Sequence, residues 1–392
     1  MAKQSKAPLV AALLGIFLLS FLPVSAEADF IQTNLVSDIP GLAVLTDPNL
    51  KNPWGLSHTP TSPFWSSDQA ANVATLYNVP TGGPVTQNAL VVTMPMTPSG
   101  PQGPTGGVFN STSSLPTSSF PINGSASLFI FANLNGTIDA WNSSLGTTAA
   151  VAASTPGAMY TGLTLLPTGP TGPVLLAANN AQGRIDVFNG SFQSASLAGN
   201  FTNPGLPAGF VPFNVQIAGN NVYVTYALAG RPNSIIATGG QGFIGVFDLN
   251  GNFVRQISDP HLASPWGITL APSGFGPFGN DLLVGNFSTA LSEINAFDPI
   301  TGEFQGTIPV DTGGNAPGGL WALAFGNAGN NGDPDTLFFT DGLNGEANGL
   351  FASIRFAPEP VPEPGTLALV VVAALGASGA RRLKLNRGRR PL

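Results

Sequence analysis

The chain has 392 residues, 43% hydrophobic and only 8% charged, with 49 glycines, 36 prolines and no cysteine. Such a chain can hold no disulfide framework, thiolate metal site or cysteine nucleophile, and turn formers this frequent, without a Gly-X-Y period, exclude collagen and argue against long helices. The net charge of −7 hides a body, residues 29–357, in which Lys51, Arg184, Arg231, Arg255 and Arg355 face 17 carboxylates; that balance of −12 excludes nucleic acid, whose phosphates need clustered cations.

In chain order, residues 1–28 read as a secretory signal helix. Lys3 and Lys6 precede an apolar stretch, Leu9 to Leu22, shorter than the roughly 20 residues of a membrane span, and small residues offer cleavage after Ala26 or Ala28. "FIQTNLVS", from Phe30 to Ser37, is a strand upstream of any repeat. A repeat then begins, with units starting near residues 52, 103, 159, 211, 264 and 319. Each opens on a strand led by an aromatic residue or Thr: Trp54, Thr105, Thr161, Phe213, Trp266 and Trp321. Their spacing runs from 51 residues (Trp54 to Thr105) to 56 (Thr105 to Thr161).

Within each unit a second strand ends on a polar residue: "FWSSD" at Asp68, "FIFAN" at Asn133, "LLAAN" at Asn179, "LLVGN" at Asn286 and "LFFTD" at Asp341, with Tyr226 the exception. A third strand follows a tight Gly-bearing turn ("IDAWN", "IDVFN", "IGVFD", "INAFD"), and turns such as "LNGNF" launch a fourth. One such meander cannot bury both faces, but six arranged radially can. The body 29–357 is therefore predicted to be all-β, a six-bladed β-propeller of four-stranded antiparallel blades. Residues 30–37 supply the outer strand of the last blade, the recurring Trp and Phe fill the spaces between adjacent blades, and 98–104 and 111–119 are surface excursions.

The tail, 358–392, places Pro362-Glu363-Pro364 before an apolar stretch, 366–380, read as a short transmembrane helix, with Arg381-Arg382 directly after it. In this order the three parts resemble the PEP-CTERM sorting signal of Gram-negative bacteria. The resemblance implies an exported protein held transiently in the inner membrane, cut by an exosortase-type processing enzyme, and delivered to the cell surface or extracellular matrix. The body is similar to an uncharacterised bacterial family of secreted proteins with distant likeness to NHL-type propellers. The stretches that carry the likeness are "IQTNLVSDIPGLA", "DPNLKNPWGLS", "LPAGFVPFNVQ", "SPWGITLAPSGFG", "LLVGNF" and "GLWALAFGN". That family brings no established activity with it.

Chemistry is sparse. His58 and His261 are the two histidines, each beside a "PWG" turn but in different units, and read as packing residues. No GxSxG elbow, GxxxxGK loop or HExxH pair occurs. Six-bladed lactonases hold a divalent cation with Glu, Asn and Asp on inner strands, whereas the inner strands here offer mainly Asn214. Asp68, Asn133, Asn179, Asn286 and Asp341 are the candidate metal ligands, since oxygens at one level around a channel suit Ca²⁺; equally, Asp and Asn there can shape the following turn. Asp333 and Asp335 are a second calcium candidate. The leading expectation is a non-enzymatic surface or matrix scaffold whose loops bind exopolysaccharide or another envelope component, without a required cofactor. The alternative is a calcium-dependent hydrolase or lactonase.

Overall fold

The computed structural model describes residues 29–98, 102–115, 119–169 and 172–357. The signal segment with Ala26 and Ala28, and the tail with Pro362, Glu363, Pro364, the 366–380 stretch, Arg381 and Arg382, lie outside the described residues. Among the described residues no helix is long and apolar enough to cross a membrane.

Six blade sheets follow one another along the chain, antiparallel except in the last, where Leu45–Thr46 adds in parallel outside the closing strand. Their first strands are Pro53–Ser57, Pro104–Phe109, Tyr160–Leu166, Phe210–Ala218, Pro265–Leu270 and Pro317–Phe325. Each packs against the first strand of the next blade, and the sixth returns to the first, so the ring is closed around an axis. The second strands, such as Phe64–Asp68, Phe129–Asn133 and Leu282–Asn286, are buried along their whole length. They are sandwiched between neighbouring blades, which is why they read as apolar runs rather than alternating strands. Phe64, for example, packs on Phe338 and Phe351 of blade 6, while the next residue, Trp65, stacks on Phe129 of blade 2.

Closure joins the two ends of the body. Asp29–Ser37 pairs antiparallel with the third strand of blade 6, Asn348–Ala357, in register from Phe30 opposite Phe356 to Ser37 opposite Leu350, with a bulge between Asn34 and Val36. The Ser37 hydroxyl adds a hydrogen bond to the Gly349 carbonyl at 2.7 Å. Outer strands elsewhere vary in length, from Ser194–Ala195 in blade 3 to Phe304–Pro309 in blade 5. Of the 98–104 stretch, residues 98 and 102–104 are described: Pro104 opens the first strand of blade 2, and the Gln102 side chain donates to the Thr97 carbonyl at 2.7 Å. The second excursion leads into a small hairpin, Pro121–Ile122 with Ser125–Ala126.

The axis is crowded for a reason visible in the repeat. The residue after Trp54, Thr105, Thr161 and Trp266 is glycine, and a Cβ there would collide with the first strand of the following blade: at Gly55 it would lie 2.5 Å from the Thr105 carbonyl oxygen. In blade 4 the equivalent residue is Asn214, whose amide instead donates to the Trp266 carbonyl at 2.8 Å. Inner strands thus approach one another more closely than side chains would permit.

The recurring aromatic residues do not fill the spaces between adjacent blades, as the repeat alone suggests. Trp54, Phe213, Trp266 and Trp321 meet on the axis in one buried cluster with Phe287. Trp54 stacks on Trp321 at 3.7 Å between ring centroids, and lies 6.3 Å from both Phe213 and Trp266. Each leads its strand at the same end of the ring, so the side chains converge where the blades are narrowest and plug the channel.

Candidate functional site

The plug is incomplete. Blades 2 and 3 carry Thr105 and Thr161 where the other four carry Trp or Phe, and the small residues leave space above the aromatic cluster. A cavity of about 550 Å³ opens there, at the channel mouth formed by the loops between second and third strands. Its walls are largely apolar, with Trp54, Leu134, Met159, Val211, Phe213 and Leu228. Polar groups reach it from several blades: Asn52, Gln69, Thr161, Asn180, Arg231 and Glu346. A mostly apolar concavity of this size with a few placed polar groups is the usual form of a small-molecule site.

Arg231 comes from the long loop between the second and third strands of blade 4, where Gly230, at φ 84°, turns the chain into a single helical turn, Arg231–Ser234. The side chain crosses the mouth to blade 6, where its Nε donates to Glu346 Oε2 at 2.9 Å and a second guanidinium nitrogen donates to Oε1. Beneath it, the Trp54 ring centroid is 4.8 Å from the guanidinium carbon, with Phe287 and Trp321 further off. The side chain keeps 39% of its surface open to the mouth, while burial against the aromatic floor lowers its pKa to about 10.

Asn52 organises the other rim. Its amide donates to Gln69 Oε1 at 2.8 Å and Glu346 Oε1 at 3.3 Å, and its oxygen accepts from the Trp321 indole at 2.9 Å. Asn52 (φ 46°) and Glu346 (φ 72°) both hold left-handed backbone conformations, which for glutamate is an uncommon and costly arrangement of the kind that clusters at binding sites.

None of the five candidate ligands lines this cavity. Each is buried in its own blade. Asp68 accepts from the Ser66 hydroxyl at 2.6 Å and the Thr75 hydroxyl at 2.5 Å; Thr75 and Tyr77 link it to the second buried carboxylate, Asp47. Burial raises the Asp68 pKa well above the ordinary range. Asn133 faces Asp139, whose pKa burial raises to about 7. Asn179 donates to Asp186 at 2.7 Å and Asn286 to the His261 carbonyl at 2.8 Å, both in turn-shaping roles. Asp341, fully buried on the face of blade 6 that packs on blade 5, is raised to about 8 by burial, opposed by the Gly319 amide. The five face separate interfaces and do not form one ligand set, and among the described residues no group of three or more His, Asp or Glu is placed to hold a metal. Asp333 accepts from the backbone of Asp335 at 2.9 Å, shaping its turn.

The histidines are apart. His58 sits edge-on to Phe64 and pairs with Asn327 at 3.2 Å, its pKa lowered by burial. His261 stacks on Phe304 and bonds Asp259 at 2.7 Å. Neither touches the upper cavity; His58 instead lines a shallower one at the opposite channel mouth. Sequence reasoning missed Arg231, Glu346 and the cavity itself, although one signal was present: Thr in two adjacent units, at Thr105 and Thr161, where the other four carry Trp or Phe.

Fold and site together define an all-β, six-bladed propeller with a small-molecule-sized cavity at one channel mouth. No family model matches the chain. It is similar to an uncharacterized protein of Acanthamoeba polyphaga mimivirus, 28% identical over 337 residues, covering 82% of this chain and 78% of that protein. A second mimivirus protein is 31% identical over 145 residues, 36% of this chain and 38% of its own length. Among solved structures, a streptogramin B lyase aligns at 14% identity with a TM-score of 0.47, over 85% of this chain and all of that one. A catalytically inactive virginiamycin B lyase from Staphylococcus aureus with quinupristin aligns at 14% and 0.46, over 84% of this chain and all of its own. These sequence relatives are mimivirus proteins and lend no support to the bacterial source expected from the tail.

Proposed function

We propose that this protein is a binding propeller that seats a small amphipathic molecule in the cavity above the aromatic plug. The observation that carries the reading is the cavity of about 550 Å³, with apolar walls and a fixed cation, Arg231, over Trp54. Its polar groups are bonded to one another across blades 1, 4 and 6, which preorganises the mouth and reduces the ordering cost of binding. An exopolysaccharide along the blade loops is the second reading; the acidic, weakly charged surface is compatible with it, but the largely apolar lining favours a compact ligand.

Thermal-shift and calorimetric titration of the purified protein against small amphiphiles and neutral oligosaccharides tests the two readings. Ligands that bind the folded state must raise the melting temperature. Leu134→Trp, which fills the cavity, is expected to abolish the response to small amphiphiles and spare any oligosaccharide response. The reverse pattern would sink the cavity reading. Delivery to the envelope or matrix through exosortase-type processing is part of the same proposal, supported by the order of elements in 358–392. Intact-mass measurement of protein from its native host, showing loss of the residues after the Pro-Glu-Pro element, is the expected result; an uncut tail would refute it.

A further inference from the structure

The two channel mouths differ in how their polar groups are used. At the upper mouth Asn52, Gln69, Arg231 and Glu346 are bonded to one another. The cavity at the opposite mouth, about 450 Å³, also lies in the size range of small-molecule sites, but its polar groups are uncommitted. Gln216 of blade 4 and Thr269 of blade 5, both half-buried, line it with side chains that have no hydrogen-bond partner among the described residues. Thr164 of blade 3 accepts from the Ile217 amide at 3.4 Å and keeps its hydroxyl proton to give. These three occupy one position of the repeat, three residues after Phe213, Trp266 and Thr161. One position further on, three neighbouring blades supply half-buried rings to the same cavity: Phe325 of blade 6, His58 of blade 1 and Phe109 of blade 2. No Asp, Glu, Lys or Arg is among the described residues that line it, and His58, its pKa lowered by burial, is uncharged at neutral pH.

We propose that this second cavity binds one pyranose unit of a neutral glycan. An ion of either sign would give up water there without meeting an opposite charge. A sugar hydroxyl both donates and accepts, which matches the Gln216 amide and the threonine hydroxyls. The C–H groups on the faces of a pyranose suit aromatic rings, whose faces carry partial negative charge. No hydrogen bond inside the protein is broken when Gln216 and Thr269 turn to such a ligand. The site is independent of what the upper cavity holds.

The test is calorimetric titration of the full chain with the methyl glycosides of glucose, galactose and mannose, each set against the uronic acid and the amino sugar of the same configuration. At least one neutral glycoside is expected to bind saturably at millimolar concentration or below, and more tightly than its charged counterparts. Gln216→Ala and Thr269→Val should each weaken it about fivefold, the loss of one hydrogen bond, and leave the melting temperature unchanged, because neither side chain has a bond in the protein to lose. Leu134→Trp, in the upper cavity, should leave glycoside binding intact. No saturable binding by any neutral glycoside, charged sugars bound as tightly, or an affinity untouched by both variants would each overturn the proposal. So would loss of the glycoside response in Leu134→Trp, which would move the sugar to the upper cavity. An oligosaccharide that binds while its terminal glycoside does not would place the glycan along the blade loops and likewise overturn it. The response to small amphiphiles is read separately, so failure of this site leaves the upper-cavity reading standing.

Discussion

Arg231 of blade 4 lies 4.8 Å over the ring of Trp54 of blade 1, and is held there by Glu346 of blade 6. Three blades that are distant in sequence are thereby fastened at one channel mouth, by a contact that no strand pairing supplies.

Arg231→Ala should lower stability by about 1 kcal/mol, the sum expected of a partly exposed cation–π contact and a partly exposed ion pair. In a double-mutant cycle with Glu346→Gln, measured by urea unfolding, the coupling should be about 0.5 kcal/mol or more. A coupling of zero would show that the pair contributes nothing in solution.

Stability should decline as pH rises. Asp341 and Asp139 are raised by burial to about 8 and about 7, and Asp68 is raised in the same direction. A carboxyl whose folded pKa exceeds its unfolded value of roughly 4 is best tolerated while protonated. Its stability is therefore fully present below the unfolded pKa and is lost as pH rises through the folded one. Each proton retained only by the folded state gives a slope of about −1.4 kcal/mol per pH unit. Denaturant unfolding from pH 4 to pH 9 checks the sign, and Asp341→Asn should flatten the upper part of the curve. Stability rising across this range would contradict the assignment.

Gly55→Ala should destabilise by about 1–3 kcal/mol, because the added Cβ would fall 2.5 Å from the Thr105 carbonyl oxygen, and backbone cannot yield as a flexible side chain can. Thermal unfolding of this variant alongside Gly82→Ala is informative. Gly82 has open space around it, so the penalty there arises from its positive φ alone and should be the smaller of the two. Equal losses would refute the close approach of inner strands.

Removing residues 29–37 should leave the Asn348–Ala357 strand as a bare edge, since its outer partner is that segment. Unpaired edges invite association. The shortened protein is expected to lose its cooperative melt and to elute as oligomers in size-exclusion chromatography. A monomer with an unchanged melt would mean that the closing strand is dispensable.

Much of this architecture was legible in the repeat. The polar ends of the second strands marked Asp68, Asn133, Asn179, Asn286 and Asp341 as equivalent, and the strand character of 30–37 marked the closing segment, because strand periodicity and turn chemistry are local properties. Where the leading aromatic residues go was not legible. Trp54 and Phe213 belong to opposite blades, and nothing near either residue encodes that their rings lie 6.3 Å apart.

The sequence by itself determined the number of blades, their strand order and the place of closure, since these follow from the count of a repeat of about 53 residues, from the hydrophobic patterning within each unit and from the strand pattern of 30–37 upstream of the first. Only the tertiary structure decided that the candidate ligands are dispersed among separate interfaces, and that Trp54, Arg231 and Glu346 form one mouth. Closing the ring brings one loop of each blade to a common axis, and which residues meet there depends on the summed rotation of six blades rather than on the residues of any one.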